Sequence, residues 1–176
     1  MGIVVTPEEL KQIRDAAKSE GKRFVFTNGC FDILHRGHVE LLTAARALGD
    51  MLAVAINSDS SVARLKGDSR PVVRQDDRAA VLASLEAVDF VTIFDEDTPA
   101  EIISVLRPDV LVKGSDYAMD EIVGRKQVEE GGGTVVRIPL YGGFSTKKML
   151  RRIAESSRDV LGEDNKRGKP GGERRH

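Results

Sequence analysis

Phe24-Val25-Phe26-Thr27-Asn28-Gly29-Cys30-Phe31-Asp32-Ile33-Leu34-His35-Arg36-Gly37-His38 is the stretch on which the reading of this chain turns. Phe24 to Thr27 lacks the polar alternation of a half-exposed strand, so it predicts a strand buried on both faces. A polar turn follows. A helix is then predicted from about Gly37 to Leu48, with His38, Leu41, Leu42 and Ala45 on one face and Gly49 as its stop. In the turn, Gly29 lets a backbone approach a ligand and Gly37 allows a tight start to the helix.

The same strand–turn–helix rhythm extends outward in both directions. Upstream, Thr6-Pro7-Glu8-Glu9 reads as a capping box with Pro7 at the first helical position, Val5 and Leu10 as a hydrophobic staple, and Gly21 as the stop of a helix over about 7–20. Met1 to Thr6 also fits the loose myristoylation template, but the capping box already accounts for Thr6. Downstream come a strand at Leu52 to Ile56, a polar connection through Lys66-Gly67-Asp68-Ser69-Arg70-Pro71, and a helix with Arg78, Val81, Leu82 and Leu85 on one stripe. Phe90 to Phe94 is a strand, and Thr98-Pro99-Ala100-Glu101 reads as a second capping box before a helix through Ile102, Ile103 and Leu106. Strands at Val110 to Val112 and Val135 to Ile138 flank a helix predicted from Ile122 to Glu130. Met149, Leu150 and Ile153 mark a closing helix. Helices between successive strands mean crossover connections. The expected fold is α/β, a Rossmann-like, doubly wound, mostly parallel sheet with helices on both faces. One domain is expected over 1–161, and the Gly-, Pro- and charge-rich residues 162–176 read as a disordered tail.

Composition narrows the function classes. The 176 residues carry 27 basic and 28 acidic side chains, a formal charge of -1 that argues against a dedicated nucleic-acid partner. No apolar run reaches the roughly 20 residues of a membrane helix and no signal peptide is read, so no membrane partner is expected. Cys30 is the sole cysteine, which excludes an intrachain disulfide and suits a reducing compartment. The expectation is a cytoplasmic domain.

In open parallel sheets ligands bind at the carboxyl ends of the strands, here just after Phe26, Ile56, Val112 and Ile138. Two of the chain's three histidines, His35 and His38, flank Gly37 at such an end. Neutral imidazoles at a helix N-terminus, with free N–H groups and the positive end of the dipole, make a phosphate site. One histidine on an apolar helix face is an ordinary core residue. Two of them with Gly29 and Gly37 at a strand-to-helix turn are not. Zinc wants three spaced protein ligands and finds only Cys30 and Asp32 nearby, so no metal ligand is assigned. Gly142-Gly143-Phe144-Ser145-Thr146-Lys147 resembles a P-loop in composition but not in spacing, and no Gly-x-Gly-x-x-Gly follows the first strand.

Gly29-x-Phe31-Asp32 ahead of His35-Arg36-Gly37-His38 resembles the cytidylyltransferase-like nucleotidyltransferases, which carry His-x-Gly-His after their first strand. Ser145-Thr146-Lys147-Lys148 matches their second mark, a Ser-Thr pair opening the last helix with basic residues behind it. Within that family the chain is most similar to the D-glycero-β-D-manno-heptose 1-phosphate adenylyltransferases. That similarity runs from about Arg23 to Ile153 through Asn57-Ser58-Asp59, Arg64 to Gly67, Ser69 to Val72, Leu85 to Asp89 and Lys113-Gly114-Ser115-Asp116-Tyr117. Leu140-Tyr141 stands where related glycerol-phosphate cytidylyltransferases have an arginine, which favours adenylyl over cytidylyl transfer. The alternatives are cytidylyl transfer to an alcohol phosphate, adenylyl transfer to a flavin, or a nucleotide-binding module without catalysis.

The resemblance implies ATP as co-substrate, Mg²⁺ on its phosphates, and attack of a sugar 1-phosphate on the α-phosphorus with loss of pyrophosphate, for lipopolysaccharide or other surface glycan precursors. His35, His38 and Lys147 are then the catalytic residues. The nucleotide falls to Asn28, Gly29, Cys30, Phe31, Asp32, Gly37, Lys113, Gly114, Asp116, Ser145, Thr146 and Lys148, with packing as the main role of Cys30. The sugar phosphate falls to Arg46, Asn57, Asp59, Lys66, Arg70, Arg78 and Tyr117. A homodimer and a separate heptose kinase upstream are the further partners expected.

Overall fold

A computed structural model describes residues 1–139 and 146–167. Along the chain run β1 (Ile3–Val4), α1 (Pro7–Ser19), β2 (Phe24–Gly29), α2 (Arg36–Arg46), β3 (Met51–Asn57), α3 (Asp59–Lys66), α4 (Gln75–Ala83), β4 (Phe90–Phe94), α5 (Ala100–Leu106), β5 (Val110–Gly114), α6 (Arg125–Glu130), β6 (Thr134–Ile138) and α7 (Thr146–Arg167). The strands form one parallel sheet in the order β1-β4-β3-β2-β5-β6. The chain builds outward from β2 through β3 to β4, then crosses back to lay β5 on the other side of β2. That reversal puts the topological switch point between β2 and β5.

Alternation along the buried strands feeds two cores. Val25, Leu52, Val54, Ile56, Val110 and Val112 pack with Leu41, Leu42 and Ala45 of α2 and Ala79 and Leu82 of α4. Phe24, Phe26, Ala53, Ala55 and Leu111 pack on the opposite face with Leu10 of α1 and Ile102, Ile103 and Leu106 of α5. The doubly wound α/β architecture expected from the pattern is therefore the one formed. Among the described residues no helix is long and apolar enough to cross a membrane.

The Thr6 capping box forms as read: Thr6 N–H donates to Glu9 Oε2 at 2.8 Å and Glu9 N–H to Thr6 Oγ1 at 3.2 Å. The second box does not form. The cap of α5 is Pro99, with no side-chain bond, so the matching letters at Thr98 and Glu101 lie one position out of register. β1 and α3 have no counterpart in the sequence reading. β1 is too short for any periodicity and is held on β4 by Ile3 N–H to Asp89 O at 3.0 Å and Val5 N–H to Val91 O at 2.9 Å. α3 is capped by Ser58 Oγ, which accepts from Ser61 N–H at 3.0 Å. On α4 the buried stripe is Arg78, Ala79, Leu82 and Ala83; Val81 is exposed and Leu85 lies past the helix end. The helix expected from Ile122 starts only at Arg125, because Gly124 sits at φ +86 and a Cβ there would lie 2.6 Å from the Ile103 side chain. α7 runs to Arg167, past the expected tail start at 162; Gly162 costs helix stability without ending it. Residues 168–176 lie outside the described residues.

The amino edge of the sheet is closed by aspartates. Asp109 accepts from Phe24 N–H at 2.8 Å and from Arg14 Nη2 at 2.9 Å. Asp89 accepts from Leu52 N–H at 2.7 Å, and Asp50 from Arg23 N–H at 2.7 Å. Replacing Asp109 by Ala strands a strand-opening N–H and leaves the buried Arg14 guanidinium without its carboxylate. The expected loss is about 2–4 kcal/mol in urea unfolding. β5 is five residues, about 17 Å, so chemistry at its other end should survive in the folded variant. A change below 0.5 kcal/mol would refute the role given to Asp109.

Candidate active site

At the carboxyl end of β2 the backbone leaves the sheet in a tight, unusual turn. Phe31 sits at φ 47, a left-handed conformation that a bulky side chain adopts only when its surroundings enforce it. Gly29 makes the room: a Cβ there would come within 3.2 Å of the Phe31 ring. The ring in turn leans on His38, centroid to centroid 5.0 Å at 53°, and His38 stacks on His35 at 3.8 Å and 15°. The strained residue thus serves as a prop for the paired imidazoles.

The helix these rings open starts with neither a side-chain cap nor an acid. His35 is the N-cap of α2, with no side-chain cap bond and no acidic residue in the first turn, and Gly37 is buried in that turn. In α1, by contrast, Thr6, Glu8 and Glu9 occupy the same positions. The uncapped start leaves N–H groups and the positive dipole end available. Burial and the neighbouring ring push His38 down to about 4, and burial pushes His35 down as well. Both imidazoles are neutral at pH 7. His38 Nδ1 is buried with no hydrogen-bond partner among the described residues, which favours carrying the ring proton on Nε2, as a donor.

Most of the expected charged residues meet at this edge, but the structure already engages them. Asp32, 3% exposed, pairs with Arg70 and accepts from Val72 N–H at 2.8 Å and Val73 N–H at 3.0 Å. It therefore ties the loop after α3 to the turn rather than presenting a free carboxylate. Arg78, 1% exposed, donates to Cys30 O, to Val73 O at 3.0 Å and to Asp59 Oδ1 at 2.8 Å. Asn57 donates to Ser61 Oγ at 3.0 Å and takes the Cys30 thiol at 3.7 Å. Burial pushes that thiol up, which suits packing and not nucleophilic attack.

Across the switch point, Lys113 donates to Asn28 O at 3.1 Å and Asn28 Oδ1 at 2.6 Å. Gly114 is buried beside it, while Asp116 and Tyr117 are exposed on the turn that follows. Lys66 is exposed at the end of α3, near enough to act electrostatically on Cys30. Thr146 opens α7 half-buried and Lys148 is exposed on its first turn. Ser145, Leu140, Tyr141 and the Lys147 side chain lie outside the described residues.

Arg46 does not belong to this cluster. α2 carries it 11 residues, about 16 Å, to the opposite edge of the sheet. There it pairs with Asp89 at 3.0 Å and donates to Gly49 O at 2.6 Å. The sequence reading missed the supporting bonds: Gln75 accepting Asp59 N–H, and Thr27 Oγ1 donating to Val112 O at 2.9 Å. No local signal marks them, because each partner is distant in sequence.

Residues 26–163 match the model of the family described as cytidylyltransferase-like. The Bifunctional protein HldE of Syntrophotalea carbinolica is 50% identical over 148 residues, covering 84% of this chain and 30% of that protein. Its counterpart in Koribacter versatilis is 53% identical over 149 residues, covering 85% and 31%. The chain thus spans about 30% of the length of these curated relatives. Among solved structures, the lipopolysaccharide core biosynthesis protein of Thermoplasma volcanium is 32% identical with a TM-score of 0.59, over 69% of this chain and all of that one. A pantoate-β-alanine ligase of Francisella tularensis shares the fold alone, at 15% identity and a TM-score of 0.58, over 79% of this chain and 67% of that one. The family match reaches from the middle of β2 into α7 and so takes in the paired imidazoles, the switch point and the start of the last helix: the chain belongs to the cytidylyltransferase-like family.

Proposed function

We propose that the chain is an adenylyltransferase that joins ATP to D-glycero-β-D-manno-heptose 1-phosphate, giving ADP-heptose and pyrophosphate for surface glycan synthesis. The observation that carries it is the stacked, neutral His35–His38 pair at the uncapped start of α2. The string of segments shared with heptose 1-phosphate adenylyltransferases and the relatives at about half identity support the choice of substrates.

The reaction asks for little acid–base chemistry. A sugar 1-phosphate oxygen is already anionic, with a second pKa of about 6. It forms a bond to the α-phosphorus as the bond to the bridging oxygen breaks, and the electron pair leaves with pyrophosphate. What the protein must supply is alignment and neutralisation of charge that grows on the α-phosphoryl and leaving oxygens. In this reading His35 and His38 donate to those oxygens. The N–H groups opening α2, and Ser145 and Thr146 at the start of α7, hold the remaining phosphates, with Lys147 and Lys148 adding charge. Mg²⁺ enters as part of the nucleotide substrate, on phosphate oxygens and water. Arg70 and Arg78 act on the acceptor side by fixing the turn, through Asp32 and Cys30 O, and not by touching phosphate. A sugar kinase must supply the acceptor.

Pyrophosphate release tests the substrates. With D-glycero-β-D-manno-heptose 1-phosphate as acceptor, kcat/KM for ATP should exceed that for CTP, and an equal or larger value for CTP would overturn the adenylyl assignment. The histidines have their own test. His35→Ala and His38→Ala should each lower kcat by about 10²–10³, the loss typical of one donor to a developing oxyanion, while KM for ATP moves less. The double variant should lose less than the product of the singles, since both rings serve one charge cluster. Thermal melts on the same preparations separate a folding defect from a chemical one. Near-normal turnover in folded variants would sink the mechanism.

A further inference from the structure

The cations at the carboxyl edge differ in how they are neutralised. Arg70 holds Asp32 and Arg78 holds Asp59, so both guanidiniums are matched within the protein. Lys113 is not. Its ammonium, on a residue 8% exposed, has only the two oxygens of Asn28 as hydrogen-bond partners among the described residues, and Asp116 acts on it merely through space. The Tyr117 ring centre lies 5.6 Å away, a cation–π distance. An ammonium has three N–H donors, and Asn28 takes two. Burial of a cation against neutral acceptors is unfavourable, and a charge-assisted bond to an anion would offset it. The residue also bridges the ends of β5 and β2, the two strands that form the switch point.

We propose that Lys113 is a phosphate-binding residue: its third N–H is offered, between the ends of β2 and β5, to an anionic phosphoryl oxygen of the bound substrates, and Asn28 and the Tyr117 ring position it for that contact. The inference rests on the nucleotidyl-transfer reading, since it supposes phosphorylated ligands at this edge.

It carries a distinctive signature. Burial pushes the Lys113 ammonium down to about 8, against the opposing pull of Asp116 and Cys30. The other perturbed groups beside it do not change charge between pH 7 and 8.5. Burial pushes the Cys30 thiol and the Tyr117 phenol up, and His35 and His38 down. A phosphate monoester is dianionic throughout that range. Anion binding favours the charged ammonium, so binding should take up a proton near pH 8.5, and affinity should weaken as pH rises through the free protein's value.

Isothermal titration of the whole chain, in two buffers of different ionisation enthalpy, reads this directly. The probes are α,β-methylene-ATP and, separately, D-glycero-β-D-manno-heptose 1-phosphate. At pH 8.5 the wild type should take up more than about half a proton per ligand, and Kd should rise about tenfold between pH 7 and pH 9. Lys113→Met should weaken binding about tenfold to a hundredfold at pH 7 and abolish the uptake. Lys113→Arg should bind without uptake, because a guanidinium stays charged. Uptake with the nucleotide analogue alone assigns the contact to the nucleotide's phosphates, and uptake with the sugar phosphate alone assigns it to the acceptor; either supports the proposal. Wild-type binding of both probes with no proton uptake overturns it, even if Lys113→Met fails to fold. Unchanged affinity in a folded Lys113→Met overturns it too. Failure of the wild type to bind either probe would instead strike at the nucleotidyl-transfer reading on which it stands.

Discussion

Arg78 carries the largest fully buried side chain of the described residues, and the geometry of the site hangs on its guanidinium. A buried cation is tolerable only when its charge is paired and its donors are met. Arg78 meets them with Val73 O, Cys30 O and Asp59, so one residue of α4 fastens three segments: the loop after α3, the turn after β2, and the start of α3 itself. Asp32 grips the same loop from the turn's side through Arg70 and the amides of Val72 and Val73. Between these two anchors the backbone at Phe31 is held at φ 47, and its ring is held against His38. The imidazole pair is thus positioned by a buried electrostatic frame, with strain at one residue as the consequence.

The two edges of the sheet solve opposite problems. At the amino edge the N–H groups that open β2 and β3 are met by side chains, with Asp50 and Asp109 accepting at β2 and Asp89 at β3. Arg14 and Arg46 then neutralise two of those aspartates, and that edge is finished. At the carboxyl edge the strands run out into helix starts, whose N–H groups want anions. α3 satisfies its start with Ser58, but α2 begins with a histidine that makes no cap bond. α4, α5 and α6 also start without a side-chain cap bond, but at α2 alone the open start coincides with two stacked, neutral imidazoles. That coincidence of free N–H groups with ring donors is the physical reason for proposing a phosphate there.

What could be read in the sequence was what is local. The buried strands, the doubly wound order and the helix carrying His38 follow from apolar runs and spacing, and so does the Thr6 box. The Thr98 box uses the same letters and fails, because a capping motif specifies a bond only if the helix begins at the expected residue, and Pro99 shifts it by one. β1 could not be read: two residues hold no period, and the strand exists through its pairing with β4. Arg46 was misplaced because its sequence distance from His38 is small, while a helix converts those few residues into a journey to the far edge. Asp32–Arg70 and Asp59–Arg78 were legible as charged residues but not as pairs, since their partners come from segments brought together only by the sheet.

The division of labour among the cations follows from their chemistry. A guanidinium offers a rigid fork of five donors and keeps its charge, so it can be sealed permanently among carbonyls and a carboxylate. Arg78 is used in that way, and Arg70, less deeply buried, is fixed by its pair with Asp32. An ammonium is a point charge with interchangeable donors, and burial can bring its proton equilibrium close to working pH. Lys113 occupies such a position, on a strand end and without a carboxylate of its own. A third arginine there would need a third internal carboxylate to be buried, which would add negative charge where the proposed phosphates would bind. A lysine steadied by the neutral oxygens of Asn28 leaves its charge uncancelled. The site's net attraction for phosphate is therefore set less by how many basic residues gather at the edge than by how few of them the protein has already neutralised.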